Sequence, residues 1–207
     1  MDQFKTIFPA VLAIAMLSCG GSKIPPTHYY ALDLPPAPAP APAAQALPHT
    51  VVIMPLKTSS MLTQDRIVYR PSREEVGYYE YHRWAEDPRE SVMDALVQKV
   101  RASGAFRSVV RFDGRTRSDY VLRARIERLE EVDFEGGVKV YSAVSAELLE
   151  ASTMRVVWED SATSNATVGV SNVPEVVRQL SSATNRSLDD LTNSLAASLR
   201  AGLPAAP

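Results

Sequence analysis

Apolar and polar residues alternate through the middle of the chain, in three segments that cover residues 118–134, 138–151 and 154–166. Side chains along a strand point in turn to its two faces, so a period of two predicts strands with one apolar face. Gly136 and Gly137 separate the first two segments and predict a hairpin turn. Together the segments predict an antiparallel sheet with one buried face and one solvated face.

Five shorter segments predict further strands, because they are rich in aromatic and β-branched residues. They cover residues 27–34, 49–56, 65–70, 75–82 and 107–112.

The segment between Asp87 and Gly104 predicts a helix that ends at the glycine. Asp87 is suited to cap its N-terminus, Pro88 suits the first helical position, and Glu90 sits where it can reach back to the cap. Apolar residues recur at the spacing of a helix that lies on a sheet, at Val92, Leu96 and Val100.

A second, longer helix is predicted from about Pro174 to Arg200, with Asn172 as its N-cap. Its apolar side consists of Val176, Val177, Leu180, Ala183, Leu188, Leu191, Leu195 and Leu199. These elements predict an α+β fold of two layers, in which a mostly antiparallel β-sheet packs against two helices. We expect one domain over residues 27–202, followed by a tail at 203–207.

The N-terminus holds the only cysteine of the chain, Cys19, directly after a short apolar stretch at residues 7–17. That stretch is too short to span a bilayer comfortably and suits the apolar section of a secretory signal. With Ser18 before it and Gly20 after it, Cys19 resembles the lipobox of bacterial lipoproteins, although Met16 and Leu17 depart from the usual residues there.

This resemblance implies a signal peptide at 1–18, a diacylglycerol on the Cys19 sulfur and a tether at 19–26. Several acyl chains on one residue form an effectively permanent anchor. The absence of Asp after the cysteine implies export to the outer membrane. The alternatives are an ordinary signal peptide with an incidental cysteine, or a buried thiol. Residues 35–48 alternate Pro and Ala and predict an extended spacer inside the domain.

Composition and motifs give no indication of catalysis. A formal net charge of −2 offers no electrostatic reason to expect nucleic acid as a partner. The three histidines show no ligand spacing, so we expect no metal, and no nucleophile or phosphate-binding motif indicates an enzyme or a cofactor. We interpret the neighbouring Glu130 and Glu131 as part of a solvated edge or turn.

Aromatic and guanidinium groups are concentrated in the predicted strand pair 65–70 and 75–82 and just beyond it. Tyr, Trp and Arg dominate the energetics of protein interfaces, so this Tyr/Arg ribbon is a candidate partner-binding surface. Its alternative role is to cover the core and the start of the first helix. The ribbon comprises Arg66, Tyr69, Arg70, Tyr78, Tyr79, Tyr81, Arg83 and Trp84. Arg123 and Arg125 are expected on the solvated face of the sheet, with a basic patch as the alternative.

The order of these segments adds a family resemblance. THYYALDL, VVIMPL, RIVYR, YHRWAEDP with its helix, and SDYVLRARIERLE follow one another after the cysteine. This order resembles the ABC-type transport auxiliary lipoproteins, a family that includes the PqiC/YmbA-like lipoproteins, over about residues 19–200.

The resemblance implies a non-enzymatic lipoprotein on the periplasmic face of the outer membrane. Such proteins accompany an ABC transporter with a periplasmic component of the mammalian-cell-entry type, which moves lipids or other apolar molecules, and a homo-oligomer is also implied. The protein would dock the periplasmic component at that membrane. The alternative function is a carrier that itself holds an apolar ligand between sheet and helices.

Overall fold

The computed structural model describes residues 24–37 and 47–202. The predicted signal peptide, Cys19, most of the Pro/Ala spacer and the C-terminal tail lie outside the described residues. The described chain forms nine strands, two α-helices and one 3-10 turn, Ser60–Thr63. The strands are β1 His28–Tyr30, β2 Leu47–Ile53, β3 Lys57–Thr58, β4 Arg66–Arg70, β5 Gly77–Trp84, β6 Phe106–Arg111, β7 Tyr120–Val132, β8 Lys139–Glu150 and β9 Val156–Thr167. The helices are α1 Pro88–Ala102 and α2 Val173–Arg200.

All nine strands form one mixed sheet around β7. One edge of β7 pairs with β8 along its length, and β8 pairs with β9, both antiparallel. This is the meander that the alternation predicts. The other edge of β7 is divided among three parallel neighbours: β2 at its start, β3 near its middle and β4 at its end. The sheet therefore forks, with β6 beyond β2 on one branch and β5 and then β1 beyond β4 on the other.

The two helices pack against one face of this sheet and share a single apolar core with it. The α+β prediction is confirmed. The parallel pairings of the fork were not predicted, because alternation along a strand carries no information about which distant strand lies beside it. Among the described residues, no helix is both long enough and apolar enough to cross a membrane.

Helix α1 begins at the residues that its sequence predicts, and ion pairs link it to β6. The Asp87 side chain accepts a hydrogen bond from the Arg89 backbone N–H at 2.9 Å, and Pro88 is the first helical residue. Glu90 does not reach back to the cap; its carboxylate instead pairs with Arg111 at the end of β6. That guanidinium also lies 2.9 Å from Asp94, so it joins two carboxylates one turn apart on α1.

Helix α2 buries every apolar residue that the sequence assigns to its inner side. It also buries four small polar residues, Ser181, Thr184, Ser187 and Thr192. The Ser187 hydroxyl donates to the Ser142 carbonyl of β8 at 2.9 Å. Small side chains here let the helix lie close against the strand, and the hydrogen bond compensates for burial of the hydroxyl.

An irregularity in β7 changes the faces of its last residues. The register with β8 shifts between Ile126 and Arg128, as at a β-bulge. After the shift Leu129 and Glu131 face the core, whereas Glu130 and Val132 face the opposite, outer side of the sheet. The prediction that Glu130 and Glu131 are solvated is wrong, since they are only 3% and 2% exposed.

Candidate functional site

The Tyr/Arg ribbon is divided between the two faces of the sheet. Tyr69 follows the same face as the buried Ile67, while Tyr79 and Trp84 pack into the core. Four ribbon residues lie on the outer face of the sheet: Arg66, Arg70, Tyr78 and Arg83. Arg66 pairs with Arg83, Tyr78 pairs with the outward-facing Val68, and Arg70 falls on the same face by strand alternation. Tyr81 lies where the β4–β5 register is irregular. All eight residues thus lie in β4 and β5, but some of them face the core and others face the outer side of the sheet.

On the core side, aromatic rings form a continuous chain of contacts. The Tyr69 and Tyr79 rings lie 5.0 Å apart between centroids, and Tyr79 meets His82 edge to face at 5.6 Å. His82 in turn stacks on His28 of β1 at 5.3 Å, and its Nδ1 lies 2.9 Å from the Tyr30 hydroxyl. Burial lowers the pKa of His82, and the neighbouring His28 lowers it further. These contacts hold β1 against β5.

Glu131 is a buried carboxyl group at the end of this aromatic chain. The Tyr79 hydroxyl donates to its Oε2 at 2.9 Å, and no cationic group lies within 4 Å of it among the described residues. Burial raises the pKa of Glu131 to about 7; the neighbouring Asp133 adds to this, whereas the hydrogen bond from Tyr79 acts against it. Burial and the nearby Glu131 charge raise the pKa of Tyr79.

Glu130, the next residue along the chain, has the opposite environment on the outer face. Its two carboxylate oxygens accept from the Nε–H of Arg70 at 2.8 Å and of Arg128 at 2.7 Å. The Arg128 guanidinium also lies over the Tyr141 ring, 4.1 Å from its centroid. Arg83 pairs with Asp65 at 2.6 Å. Several ribbon charges are therefore compensated within the domain.

The outer face continues into an open groove of about 1070 Å³ between the β2–β3 connection and β9. Arg123 and Arg125 line it, on the solvated face that the sequence predicts. Arg123 lies 3.3 Å from Glu147 and Arg125 lies 3.1 Å from Glu127, so their charges are balanced by carboxylates. This pairing does not support the basic-patch alternative.

Gly77 is the residue that leaves room for the Tyr69 ring. A Cβ atom at this position would lie 2.3 Å from Cζ of Tyr69. We expect Gly77→Ala to lower the free energy of unfolding by about 1–2 kcal/mol, because the ring must move off Tyr79. Urea denaturation measures the change, with Gly169→Ala as the matched control, since nothing lies within 4 Å of its Cβ. Equal stability of the two variants would contradict this account of Tyr69.

Sequence reasoning did not identify Glu131 and His82 as members of the cluster. The two consecutive glutamates were a visible signal, but only the bulge in β7 decides which of them turns to the core. Within residues 24–37 and 47–202, no group of three or more His, Cys, Asp or Glu side chains is arranged to hold a metal ion.

Comparison with protein families gives a match over residues 30–192, to the family described as the ABC-type transport auxiliary lipoprotein component. The chain belongs to this family. The transport auxiliary lipoproteins are not an enzyme family, and membership supports a membrane-anchored protein that works with an ABC transporter. No curated protein sequence matches the chain significantly.

Solved structures resemble this auxiliary lipoprotein at low sequence identity, and those with TM-scores of 0.50 or more share its fold. Protein XCC0632 from Xanthomonas campestris is 21% identical, with a TM-score of 0.70, over 82% of this chain and 95% of that one. The hypothetical protein CT253 from Chlamydia trachomatis is 7% identical, with a TM-score of 0.50, over 75% and 100%. PelC from Paraburkholderia phytofirmans, a dodecamer, is 18% identical, with a TM-score of 0.44, over 75% and 93%.

Proposed function

We propose that this protein is the lipid-anchored subunit of an ABC-type envelope transport system of the mammalian-cell-entry type, and that it docks the periplasmic component at the outer membrane. The observation that carries the proposal is the family match over residues 30–192, which includes nearly all of the described domain. The predicted lipidation of Cys19 supports it, and Gly20 in place of an aspartate after the cysteine supports the outer membrane.

The position of the first strand agrees with an anchored domain. His28, the first residue of β1, follows Cys19 by only nine residues. Nine extended residues span about 30 Å at most, so a lipid on Cys19 would hold the domain close to the bilayer. The Pro/Ala spacer comes after β1 in the chain, and β1 is paired with β5. The spacer therefore does not increase the distance between a lipid on Cys19 and the domain.

The packing of the domain favours docking over the carrier alternative. One apolar cluster, with Ile53, Leu148 and Leu188 at its centre, fills the layer between the sheet and the helices. A partner surface therefore has to be found outside that layer.

We propose that the outer-facing ribbon residues Arg66, Tyr78 and Arg83 contact a partner, together with Tyr81. In this proposal Tyr69, Tyr79 and Trp84 support them from the core side, and Arg70 is held by Glu130.

The anchor is tested by Cys19→Ala in the full-length chain expressed in a diderm bacterium. Wild-type protein is expected in the outer-membrane fraction of a density gradient, with the mass of three acyl chains on a chain that begins at Cys19. The variant is expected in the soluble periplasmic fraction, because removal of the thiol removes the acceptor of the lipid. Ser22→Ala, which leaves the thiol in place, is the control and should fractionate as wild type.

The transport role is tested by purifying the tagged, lipidated chain from its native membranes in mild detergent. We expect the periplasmic component of one ABC system to be retained and to be identified by mass spectrometry. In the fractionation experiment above, retention of the Cys19→Ala variant in the membrane fraction would overturn the proposed lipid anchor. Recovery of wild-type protein without any ABC component would overturn the transport role.

A further inference from the structure

The strand nearest the predicted anchor, β1, is held to the sheet by very little. It has three residues and pairs with β5 alone, in parallel, at one edge of the described sheet. The His28 and Tyr29 side chains are exposed and Tyr30 is half-buried, so β1 buries little apolar surface. A short edge strand of this kind is among the parts of a domain that open at the lowest cost in free energy.

The side-chain contacts between β1 and β5 centre on one pair of histidines. The His28 ring stacks on the His82 ring, with 5.3 Å between their centroids and 15° between their planes. The Tyr30 hydroxyl lies 2.9 Å from Nδ1 of His82, and the Tyr79 ring meets His82 edge to face at 5.6 Å. His82 therefore contacts two of the three residues of β1.

No carboxylate is placed to compensate positive charge on these two rings. Within the part of the chain that the structure describes, neither His28 nor His82 has a carboxylate oxygen within 4 Å, whereas His49 has Asp119 at 3.5 Å. The two tyrosine hydroxyls beside the rings are neutral in acid. Protonation of the stacked pair would therefore place two like charges next to each other without a counter-ion.

The acidic groups a little further away do not change this balance. Glu131 of β7 lies beyond Tyr79, and with a pKa of about 7 it becomes neutral in the same pH range in which histidines gain charge. Asp133 neighbours Glu131 rather than the histidines. Helix α2 meets the segment after β1 at the uncharged Ser181 hydroxyl, which accepts from the backbone N–H of the exposed Asp33 at 3.0 Å.

We propose that β1 is a proton-sensitive latch, which separates from β5 when His28 and His82 are protonated. Histidines ordinarily titrate between about pH 5 and 8, and like charges on stacked rings repel each other. Burial lowers the pKa of His82 and the neighbouring His28 lowers it further, so the closed latch binds this proton less tightly than the open latch. The closed form is therefore fully favoured above about pH 6.5 and weakens as the pH falls below that value.

Opening of the latch lengthens the tether, a consequence that rests on the proposed function because it needs a lipid on Cys19. Beyond β1 the chain stays held by Leu32, which is 8% exposed in the core, and by the bond between Asp33 and Ser181. The first held residue changes from His28, nine residues after Cys19, to Leu32, thirteen residues after it. At about 3.3 Å per residue, the domain gains about 13 Å of reach from the bilayer.

Hydrogen exchange of the mature, lipidated chain in detergent micelles tests the latch. Protection factors, corrected for the intrinsic pH dependence of exchange, are compared at about pH 7.5 and about pH 5.5. We expect the protection of residues 28–34 to fall at least about threefold at the lower pH, and that of β7 and β8 to stay unchanged. The double variant His28→Phe with His82→Phe keeps two stacked rings that cannot be protonated, and it should show no fall. His49→Phe removes a histidine elsewhere and should respond as wild type.

Three exchange results would overturn the latch. They are equal protection of residues 28–34 at the two pH values in wild type, the same fall in the double variant, and a fall that extends to the whole domain, which would indicate global unfolding instead.

The longer tether is tested separately in vesicles that carry the lipidated chain. Energy transfer from Trp84 and Trp158 to a dansyl-labelled lipid is expected to decrease at about pH 5.5 in wild type and to stay constant in the double variant. Constant transfer in wild type would overturn the change in reach. A chain without any lipid on Cys19 would overturn the anchor of the proposed function and the change in reach, whereas the exchange measurement still decides the latch.

Discussion

Replacing Glu131 with glutamine is expected to stabilise the domain at pH 8 and to leave its stability at pH 4 nearly unchanged. The glutamine side chain keeps an oxygen that accepts from Tyr79 and cannot ionise. The Glu131 pKa is raised from 4.5 to about 7. At about 1.4 kcal/mol per pKa unit, this shift corresponds to at most about 3.5 kcal/mol between the two protonation states.

The sign follows from proton linkage. Because the folded state binds the Glu131 proton more tightly than the unfolded state, its contribution to stability is complete below about pH 4.5. That contribution is lost as the pH rises through about 7. Wild-type protein should therefore lose stability between pH 5 and 8 relative to Glu131→Gln. Urea denaturation of both proteins at several pH values measures this difference.

Glu130→Gln is the matched control for this prediction. Glu130 is as deeply buried as Glu131, but two guanidinium groups hold it. Removal of its charge leaves Arg70 and Arg128 without their partner, and we expect a loss of about 1–2 kcal/mol at pH 7. If Glu131→Gln were destabilising at pH 8, as Glu130→Gln should be near neutrality, then Glu131 would carry a favourable charge in the folded state.

Replacing Ser187 with leucine is expected to lower the free energy of unfolding by about 2–4 kcal/mol. Ser187 is fully buried between α2 and β8, and its hydroxyl donates to the Ser142 carbonyl. Leucine would remove that hydrogen bond and force the helix away from the strand, since the closely packed interface has no room for it. Chemical denaturation with a helix-sensitive signal measures the loss.

Ser182→Leu serves as the control for Ser187→Leu. Ser182 lies on the same helix but is exposed, so the same exchange there should change stability by less than about 0.5 kcal/mol. A comparable loss in both variants would show that the effect comes from the leucine itself rather than from close packing of α2 on β8.

The long alternating strands and the two helices were predictable because their signals are local. The period of two across residues 118–166 identified the three strands of the meander, although β7 begins at Tyr120 and β8 at Lys139. The inner face of α2 followed directly from the period of its apolar residues, and Asp87 and Asn172 cap the helices as predicted. The first strand was predicted over residues 27–34, but only His28–Tyr30 pair with a neighbour, because β5 offers a partner over that length alone.

The candidate site was predicted only in outline. The sequence indicated that Tyr69 and Tyr79 lie in one strand pair, since they fall in neighbouring β segments, and that Arg83 follows directly after it. It could not show that Tyr79 turns inward to Glu131 while Arg83 turns outward to Asp65. That division depends on irregular register between β4 and β5 and on the bulge in β7.

The sequence by itself determined the three strands of the meander and the two helices that pack on the sheet, since residue periodicity and helix capping act within a few neighbouring residues. Family membership also followed from the order of its segments. The tertiary structure decided how β7 is shared among β2, β3 and β4, and which of two adjacent glutamates is buried beside a tyrosine. Those outcomes depend on contacts between residues that are far apart in the chain, and such contacts exist only once the sheet has assembled around β7.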